Sequence, residues 1–380
     1  MKKDTKLLII KILRNVLKIF YIFPVKKNVI MFESFEGRQF SDNPKYFYNY
    51  LLENFGEKYK YVWVLNSNKK INGASSVVKF LSFAYFYRLL TSKIIVSNLG
   101  IEPFFPKRKS QIYVNTWHGS GAYKSQTLSN KMGNTRYNYE LRDFRGKVTD
   151  LYVSGCKKYS EVMAESWNTD LHKFISTGTP RNDIFFSNDM EAKRKEILNK
   201  LGLSEEFNYV LFAPTFRGSD FRSHSDSAIG IDVPTLLECC ERRFNKPFKM
   251  LFRAHVGSDS ELQNNENIID VSAYPDMQEV MIVSDILITD YSSSMWDYSF
   301  LKRPGFLFIP DLESYLNERD FYTPIETWPF PFAKNNKDLQ SLILNFDENT
   351  NLAKIQSHLD SLGSYEIGTA SKQIAQLLEL

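Results

Sequence analysis

Short apolar runs alternate with helix-like segments along most of this chain, and the alternation indicates the class of fold. Six strand-like runs come first, and five more follow a charged connector at 191–208. They begin at Val29, Tyr61, Lys93, Ile112, Asp150 and Phe174, and then at Tyr209, Phe248, Asn267, Asp285 and Gly305. Segments with helical periodicity lie between them, for example 46–54 and 81–91. Strands that alternate with helices favour parallel sheets covered on both faces, so the sequence predicts an α/β fold.

The two series of strand-like runs predict two domains. A chain of 380 residues that is 43% hydrophobic can bury two cores. We predict two Rossmann-like, doubly wound domains that face a central cleft, because ligands of such folds bind at the carboxyl ends of the strands. The predicted segments are 1–26, which is basic and amphipathic, the domains 27–190 and 191–350, and a helical segment at 351–380.

Composition excludes several classes of function. A net charge of only +4 does not indicate a nucleic-acid-binding protein. The three cysteines, Cys156, Cys239 and Cys240, have no metal-ligand spacing and suit a reducing compartment. No Walker loop, GxGxxG turn, paired metal carboxylates or nucleophile elbow occurs. We therefore expect no metal and no cofactor.

The N-terminal segment has the charge pattern of a helix that lies on a membrane. Lys11, Arg14 and Lys18 fall on one helical face, and apolar residues from Leu8 to Phe20 supply surface elsewhere. Further lysines lie before and after this stretch, which favours an anionic lipid surface. The stretch is too short and too interrupted to span a bilayer, and no signal-peptide cleavage site follows. An ordinary amphipathic helix packed on the protein explains the same pattern.

The stretch 284–310 predicts a strand, a serine-rich turn at 290–294, a helix at 295–302 and another strand. Asp290, Ser292 and Ser293 would then lie where a helix begins at the carboxyl edge of a parallel sheet. Backbone N–H groups and the helix dipole favour an anion there, and hydroxyl groups add donors for a phosphate. Simple N-capping by serine is the alternative. Asp297, on the predicted helix, would face solvent or ligand, and could bind a sugar hydroxyl or complement the dipole.

A second group of polar residues follows the strand-like run at Ile112. His118 lies in a loop with Gly119, and Lys124 follows six residues later. Histidine titrates near neutrality and can take a proton from an attacking hydroxyl, and glycine lets a substrate approach the backbone. A structural histidine in a turn is equally compatible with these residues.

Further strand ends carry basic and hydroxyl side chains. Arg253 and His255 flank one residue after an apolar run, so both point to the same side and suit a phosphate, or form a surface pair. Thr215 and Arg217 offer a hydroxyl and a guanidinium after another strand. Arg181 is a further candidate for substrate binding. With its neighbours it also suits a structural role at the domain junction, where Asn182 or Asp183 would cap the next helix.

These residues occur in motifs that together resemble one known family. NTWHGSGAYKS from Asn115, TGTPRND from Thr177, LFAPTFRG from Leu211, FRAHV from Phe252, SDILITDYSSSMWDY from Ser284 and DLESYLNERDFY from Asp311 are similar, in order, to the motifs of the CDP-glycerol glycerophosphotransferases. FESFEGRQFSDNPKYFY from Phe32 is similar to the start of that family's acceptor domain. The resemblance runs from about Val29 to Tyr322, and motifs in series are far more specific than any one alone.

The resemblance implies a glycosyltransferase-B fold, with an acceptor domain at 27–190 and a CDP-donor domain at 191–350. It implies metal-free transfer of a polyol phosphate from CDP-glycerol or CDP-ribitol to a lipid-linked acceptor built on undecaprenyl diphosphate. Glycerol phosphate is the leading candidate for the transferred group. The enzyme would be peripheral, on the cytoplasmic face of the bacterial membrane, and would make teichoic acid or a related polymer. His118 would be the base, and His255, Arg253 and the serine turn would hold the donor's pyrophosphate.

One departure from the family concerns the loop after His118. The family commonly has two adjacent lysines there, whereas Tyr123 precedes the single Lys124 in this chain. The preceding Gly121-Ala122 pair is similar to the ribitol-phosphate branch, so a ribitol donor stays open. A nonenzymatic membrane adaptor on the same fold, and hexosyl transfer from a UDP-sugar, are two further hypotheses.

Overall fold

The structure is a computed structural model that describes residues 3–125, 135–215, 230–254 and 266–380, with Glu318 described by its backbone alone. The chain divides into two compact units. The first unit comprises Met1–Ser120, Gln126–Asp183 and Ser364–Leu380, and the second comprises Gly121–Ser125 and Ile184–Gly363. The chain therefore enters the second unit briefly after Ser120 and returns to the first unit at its end.

The first unit contains a seven-stranded parallel sheet in the order β3-β2-β1-β4-β5-β6-β7. Its strands are β1 (Lys26–Glu33), β2 (Lys60–Val64), β3 (Ser76–Val78), β4 (Ser92–Ser97), β5 (Ile112–Asn115), β6 (Leu151–Val153) and β7 (Phe174–Ile175). Its helices are α1 (Lys3–Val16), α2 (Asp42–Phe55), α3 (Phe83–Thr91), α4 (Arg136–Val148), α5 (Lys157–Ser166) and, from the end of the chain, α13 (Ala370–Leu377).

The second unit contains a six-stranded parallel sheet in the order β10-β9-β8-β11-β12-β13. Its strands are β8 (Asn208–Ala213), β9 (Phe248–Phe252), β10 (Ile268–Asp270), β11 (Ile286–Thr289), β12 (Gly305–Phe308) and β13 (Phe332–Ala333). Its helices are α6 (Met190–Leu201), α7 (Val233–Phe244), α8 (Met277–Val283), α9 (Ser294–Ser299), α10 (Leu312–Glu318), α11 (Asn336–Leu344) and α12 (Glu348–Leu362).

Both sheets have the strand order of a doubly wound Rossmann-like fold. In each, the first strand of the series has the second strand on one side and the fourth on the other, so the winding reverses between β1 and β4 and between β8 and β11. The predicted α/β class with two parallel sheets is confirmed, and each of the eleven predicted runs forms a strand. The reversal leaves a crevice at the carboxyl ends of the strands, which is where such folds bind ligands.

The two faces of the first sheet are buried in separate clusters. Ile30, Phe32 and Trp63 pack against α2 and α13 on one face, and Val29, Met31 and Val62 pack against α3 on the other. Consecutive residues of β1 thus enter different clusters, as the period of two in a strand requires. Near-continuous apolar runs are needed because both faces are covered.

Two predicted helical regions differ in detail from the structure. Helix α9 ends at Ser299, three residues before the predicted end, because Lys302 has φ +55 and cannot continue a helix. The predicted segment 351–380 contains most of α12 and all of α13, with Gly363 at φ +64 ending α12. The assignment of ligand-binding roles to segments of the chain stays a prediction.

The predicted N-terminal helix is present as α1, followed by a 3₁₀ helix at Leu17–Ile22. Two of its basic side chains contact the rest of the unit: Lys11 pairs with Glu140 at 3.0 Å, and Arg14 donates to the Pro103 carbonyl and lies over the Phe144 ring. Lys18 is exposed and bonds to Asn15 of the same segment. In the part of the chain that the structure describes, no helix combines the length and the apolarity needed to cross a bilayer.

Candidate functional site

His118 lies at the carboxyl edge of the first sheet, in the loop that follows β5. Its Nδ1 is 2.8 Å from the carbonyl oxygen of Asn98, which follows the neighbouring strand β4. A carbonyl can only accept, so Nδ1 must carry the proton of a neutral ring. The neutral ring therefore presents an unprotonated Nε2, which is the form that a general base needs.

Aromatic neighbours keep the His118 ring neutral. The ring lies 4.3 Å from Trp117 and 5.7 Å from Phe35, measured between ring centroids. Burial lowers the pKa of His118 below its usual value of 6.5, because the charged imidazolium is poorly solvated there. The side chain remains half-buried, so Nε2 can hold a lone pair at neutral pH while the residue keeps contact with solvent.

The loop that carries His118 is held in a strained conformation. Trp117 has φ +50, which is unfavourable for a residue with a Cβ atom. Asn43 of α2 donates from its amide nitrogen to the carbonyls of Thr116 and Trp117, at 3.2 and 3.0 Å. The first turn of α2 thereby fixes the position from which the His118 ring projects.

A buried ion pair stands behind this loop. Arg181 Nη1 lies 2.8 Å from Asp42 Oδ1, and the two side chains are 4% and 9% exposed. The amide of Asn98 donates to the second carboxylate oxygen of Asp42 at 2.6 Å, and the backbone N–H of Arg181 donates to Asn43 Oδ1 at 3.0 Å. Asp42, Asn43 and Asn98 therefore connect Arg181 to the His118 loop, whereas the predicted contact of Arg181 with substrate stays a prediction.

Asp183 does not cap the next helix along the chain, as the sequence predicted, but the start of α13. Its carboxylate accepts hydrogen bonds from the backbone N–H groups of Ala370 and Ser371, at 2.8 and 2.9 Å. Burial raises the pKa of Asp183 above its usual value, and these bonds oppose that shift. The cap joins the start of α13 to the segment that carries Arg181.

The segment Gly121–Ser125, just after the His118 loop, is part of the second unit. Lys124 forms an antiparallel bridge with Phe321, the Tyr322 N–H donates to the Tyr123 carbonyl, and the Ser125 N–H donates to the Asp320 carbonyl. Gly121 has φ +72, and a Cβ atom there would lie 2.3 Å from the Tyr123 ring. The backbone of Lys124 thus has a structural partner, whereas its predicted contact with substrate stays a prediction, as does that of Gly119.

A buried histidine anchors this segment. His358 of α12 has Nδ1 2.7 Å from the Thr327 carbonyl and Nε2 2.8 Å from the Tyr123 hydroxyl. Because the carbonyl accepts, Nδ1 donates and Nε2 accepts the Tyr123 proton. The ring is stacked on Tyr123 with centroids 5.6 Å apart. Tyr123, the departure from the family's lysine, therefore has a specific partner in the second unit.

Lowering the pH is expected to reduce the free energy of unfolding through protonation of His358. Burial lowers the pKa of His358 to about 4, so between pH 6.5 and 4 the unfolded chain takes up a proton that the folded chain refuses. The free energy of unfolding is unaffected by this proton above pH 6.5, and it falls by about 2 kcal/mol between pH 7 and pH 5. Urea unfolding at the two pH values measures the loss. His358→Gln should reduce it, His172→Gln, at an exposed histidine, should not, and equal losses in both variants would contradict the prediction.

In the second unit, Asp290 joins the two strands at which the winding reverses. Its carboxylate oxygens accept the Thr215 N–H at 3.0 and 2.9 Å, and the Thr289 hydroxyl donates to the Ala213 carbonyl. Asp290 and Thr215 follow β11 and β8, and both are buried. The structure therefore brings these two predicted residues together at the carboxyl edge of the second sheet.

The serine turn follows directly. Ser292 Oγ accepts the Ser294 N–H at 3.2 Å, which is the capping role, and Ser293 makes no side-chain cap. Both side chains are half-buried, whereas Asp297 on α9 is 4% exposed and faces the interior. Of the two orientations predicted for Asp297, the solvent-facing one is wrong. Binding of donor by these residues stays a prediction.

Arg253 is largely committed to its own loop. Its Nη1 donates to the carbonyls of Val271 and Tyr274, at 3.1 and 2.6 Å. Burial lowers the pKa of Arg253, because the guanidinium has lost much of its water. Arg217 and His255 lie outside the described residues. Among those described, no group of three or more His, Cys, Asp or Glu is placed to hold a metal ion.

The residues that sequence reasoning missed are Asp42, Asn43 and Asn98. Each lies just past a strand or at the start of the helix that follows one, beside the point where the winding of the first sheet reverses. A search for polar residues at the carboxyl ends of adjacent strands would have found them once the strand order was known.

Comparison with known proteins identifies the family. A family model described as "CDP-Glycerol:Poly(glycerophosphate) glycerophosphotransferase" matches residues 15–380. The teichoic acid poly(glycerol phosphate) polymerase of Staphylococcus epidermidis is 32% identical over 93% of this chain and 51% of its own length. The protein of the same description from Bacillus spizizenii is 30% identical over 98% of this chain and 97% of its own length. The chain thus spans about half of the first relative and nearly all of the second.

A solved structure shows the same fold. The wall teichoic acid polymerase TagF, in a structure with CDPG, matches with a TM-score of 0.83 and 28% identity, over 99% of this chain and 96% of that one. The comparisons confirm the resemblance seen in the motifs and agree with polyol-phosphate transfer in teichoic acid synthesis. This chain is a member of the CDP-glycerol:poly(glycerophosphate) glycerophosphotransferase family.

Proposed function

We propose that this protein transfers a polyol phosphate from a CDP-activated donor to a hydroxyl of a lipid-linked acceptor, releasing CMP. Glycerol phosphate is the leading candidate for the transferred group. The product belongs to teichoic acid or a related polymer of the bacterial envelope. The observation that carries the proposal is the His118 ring, whose Nδ1 proton is held by Asn98 so that Nε2 is left as a base. Membership of the family supplies the class of donor.

In the proposed reaction, His118 Nε2 takes the proton of the acceptor hydroxyl, and that oxygen attacks the phosphorus that bears the polyol. The bond from this phosphorus to the bridging oxygen breaks, and CMP leaves with that oxygen. Negative charge grows on CMP, so donors already in place stabilise it without a metal ion. We assign this task to Thr215, Ser292, Ser293 and Arg253, together with Arg217 and His255, while Asp290 positions Thr215.

A panel of donors tests the activity. We expect CMP release from CDP-glycerol in the presence of an undecaprenyl-diphosphate-linked acceptor, and no UDP release from UDP-sugars. Faster release from CDP-ribitol would identify the ribitol branch. If folded protein releases CMP from neither donor, a nonenzymatic adaptor is favoured, and UDP-sugar turnover would replace the proposal by hexosyl transfer.

We also propose that the protein works as a peripheral enzyme at the cytoplasmic face of the membrane. The support is the N-terminal apolar surface, which consists of Leu8, Ile12, Val16, Ile19 and Ile22. All five side chains are more than half exposed, while Leu7, Leu17 and Phe20 of the same segment are buried. A segment that is anchored to the protein by Leu7, Leu17 and Phe20 and presents other apolar side chains outward suits insertion among lipid headgroups.

Replacing two residues of this surface is expected to weaken membrane binding. The double variant Ile12→Ser with Ile19→Ser removes side chains that are 54% and 67% exposed, so folding should be unaffected. Partition onto phospholipid vesicles should fall about 10- to 30-fold, because each side chain loses roughly 1 kcal/mol of apolar burial. Leu171→Ser with Ile367→Ser, at 51% and 65% exposure in the same unit, is the matched control. Equal partition of the two variants would overturn the membrane assignment.

A further inference from the structure

A second concavity of the first unit lies at the amino-terminal edge of the sheet, opposite the edge that carries His118. It has a volume of about 310 Å³, and we call it the basic cavity. Lys26 and Asn28 at the start of β1, Lys60 at the start of β2 and Arg88 of α3 line it, with Val29, Val62 and Ser75. Lys60 is paired with Val29 across the two strands, which places it beside β1, the strand that begins with Lys26.

We propose that the basic cavity binds a phosphate-bearing anion. Three of its seven lining residues are cationic and none is acidic. Among the residues that the structure describes, Lys26, Lys60 and Arg88 form no ion pair with a carboxylate. Like charges gathered in one concavity repel each other, and an anion placed among them relieves the repulsion.

The polar groups of the cavity match phosphate rather than a simple halide. A guanidinium and two ammonium groups supply charged donors, and the Asn28 amide and Ser75 hydroxyl supply neutral ones. Arginine binds two phosphate oxygens at once, and lysine acts as a point charge beside it. Tyr87 holds two of the cations near one another, since Lys26 Nζ and Arg88 Cζ lie 5.2 and 5.7 Å from its ring centroid.

The cavity borders the segment that we assign to the membrane. The Tyr87 ring packs edge-on against Phe23 at 5.2 Å, and Phe20 packs against Phe83 of α3 at 5.4 Å. Phe23 directly follows Ile22 of the N-terminal apolar surface. A lipid headgroup phosphate and a soluble phosphate offer the same chemistry to Lys26, Lys60 and Arg88, so the experiment needs one arm for each source.

The test compares the double variant Lys60→Gln with Arg88→Gln against the control Lys58→Gln. Lys58 is an exposed lysine of the same unit that lies outside the cavity, beside the rings of Phe55 and Tyr59. In the first arm, full-length protein partitions between buffer and vesicles of phosphatidylcholine, with or without phosphatidylglycerol. In the second, melting temperature is measured in inorganic phosphate and in sodium chloride of equal ionic strength.

If a headgroup is the ligand, the partition that depends on phosphatidylglycerol should be about 25-fold weaker in the double variant, because each cation contributes about fivefold. Binding to phosphatidylcholine alone should persist, because the N-terminal apolar surface is intact. If soluble phosphate is the ligand, phosphate should raise the melting temperature of the native protein and not that of the double variant. Neither arm measures CMP release, so the result is independent of the proposed reaction.

The proposal is overturned if the native protein responds in neither arm, or if the double variant behaves as Lys58→Gln does in both. Should the double variant fail to fold, Lys60→Gln alone decides the question, because Lys60 is exposed and forms no ion pair among the described residues. A fivefold loss of vesicle partition, or a rise in melting temperature with phosphate that is clearly smaller than in Lys58→Gln, then supports anion binding in the basic cavity. Behaviour equal to that of the control contradicts it.

Discussion

Replacing His118 with alanine is expected to lower CMP release by about 10²- to 10⁴-fold, the usual contribution of a general base. The loss should appear in kcat, while binding of the CDP-polyol should survive, because the residues assigned to the donor belong to the second unit. Single-turnover CMP release measures the first quantity and calorimetric titration of CDP-glycerol the second. Burial lowers the pKa of His118, so the native activity should persist to pH values somewhat below 6.5 before it declines.

His172→Ala is the matched control for this prediction. His172 is an exposed histidine of the first unit, in the 3₁₀ helix Leu171–Lys173, and lies outside the His118 loop. It should retain native kcat. Undiminished turnover in His118→Ala would remove the base from the mechanism, and a parallel loss of donor binding would show that His118 acts on the donor.

Replacing Asp42 with asparagine is expected to lower the free energy of unfolding by about 3 to 5 kcal/mol. The change removes the Asp42 carboxylate that pairs with the Arg181 guanidinium, which is 4% exposed. Asparagine keeps the size of the side chain and tolerates the φ of +60 found at this position, so loss of charge is the main effect. Denaturant unfolding of the native protein and the variant measures the difference.

A double-mutant cycle with Arg181→Met separates the ion pair from local damage. If the pair is responsible, the double variant should be more stable than Asp42→Asn alone, because no buried charge is left uncompensated. Asp170→Asn, at an exposed aspartate of the first unit, should change stability by less than about 0.5 kcal/mol. Additive effects in the cycle would contradict a direct coupling between Asp42 and Arg181.

Local hydrophobic patterns in the sequence were sufficient to predict most of the strands. Runs such as those at Val29 and Asp285 are apolar on both faces and end in polar turns, so each was found in place. β3 and β13, of three and two residues, were missed, and their length alone does not explain this, because β6, β7 and β10 are as short and were found. The early end of α9 was also missed, since it depends on the backbone conformation of Lys302.

The sequence found the chemical groups of the candidate site but not their support. His118, Asp290 and Ser292 stood out because each follows a strand. The contact from Asn98 to His118 spans two strands of the sheet, and no spacing along the chain indicates it. For the N-terminal segment, the pattern did not show which residues pack on the protein. In the structure these are Leu7, Leu17 and Phe20, together with Arg14, which contacts Pro103 and Phe144.

The return of the chain to the first unit affects the order in which the protein can fold during synthesis. Ile374, Ala375 and Leu378, from the far end of the chain, lie in one cluster with Ile30, Phe32 and Trp63. The ribosome releases β1, α2 and β2 long before it makes α13, so one face of the first sheet is covered only in part until α13 has been made. The second unit lies between these segments and can complete its own sheet earlier. The first sheet therefore begins to form before the second unit is made and is completed after it, and fragments cut between the units are expected to aggregate through the face that α13 would cover.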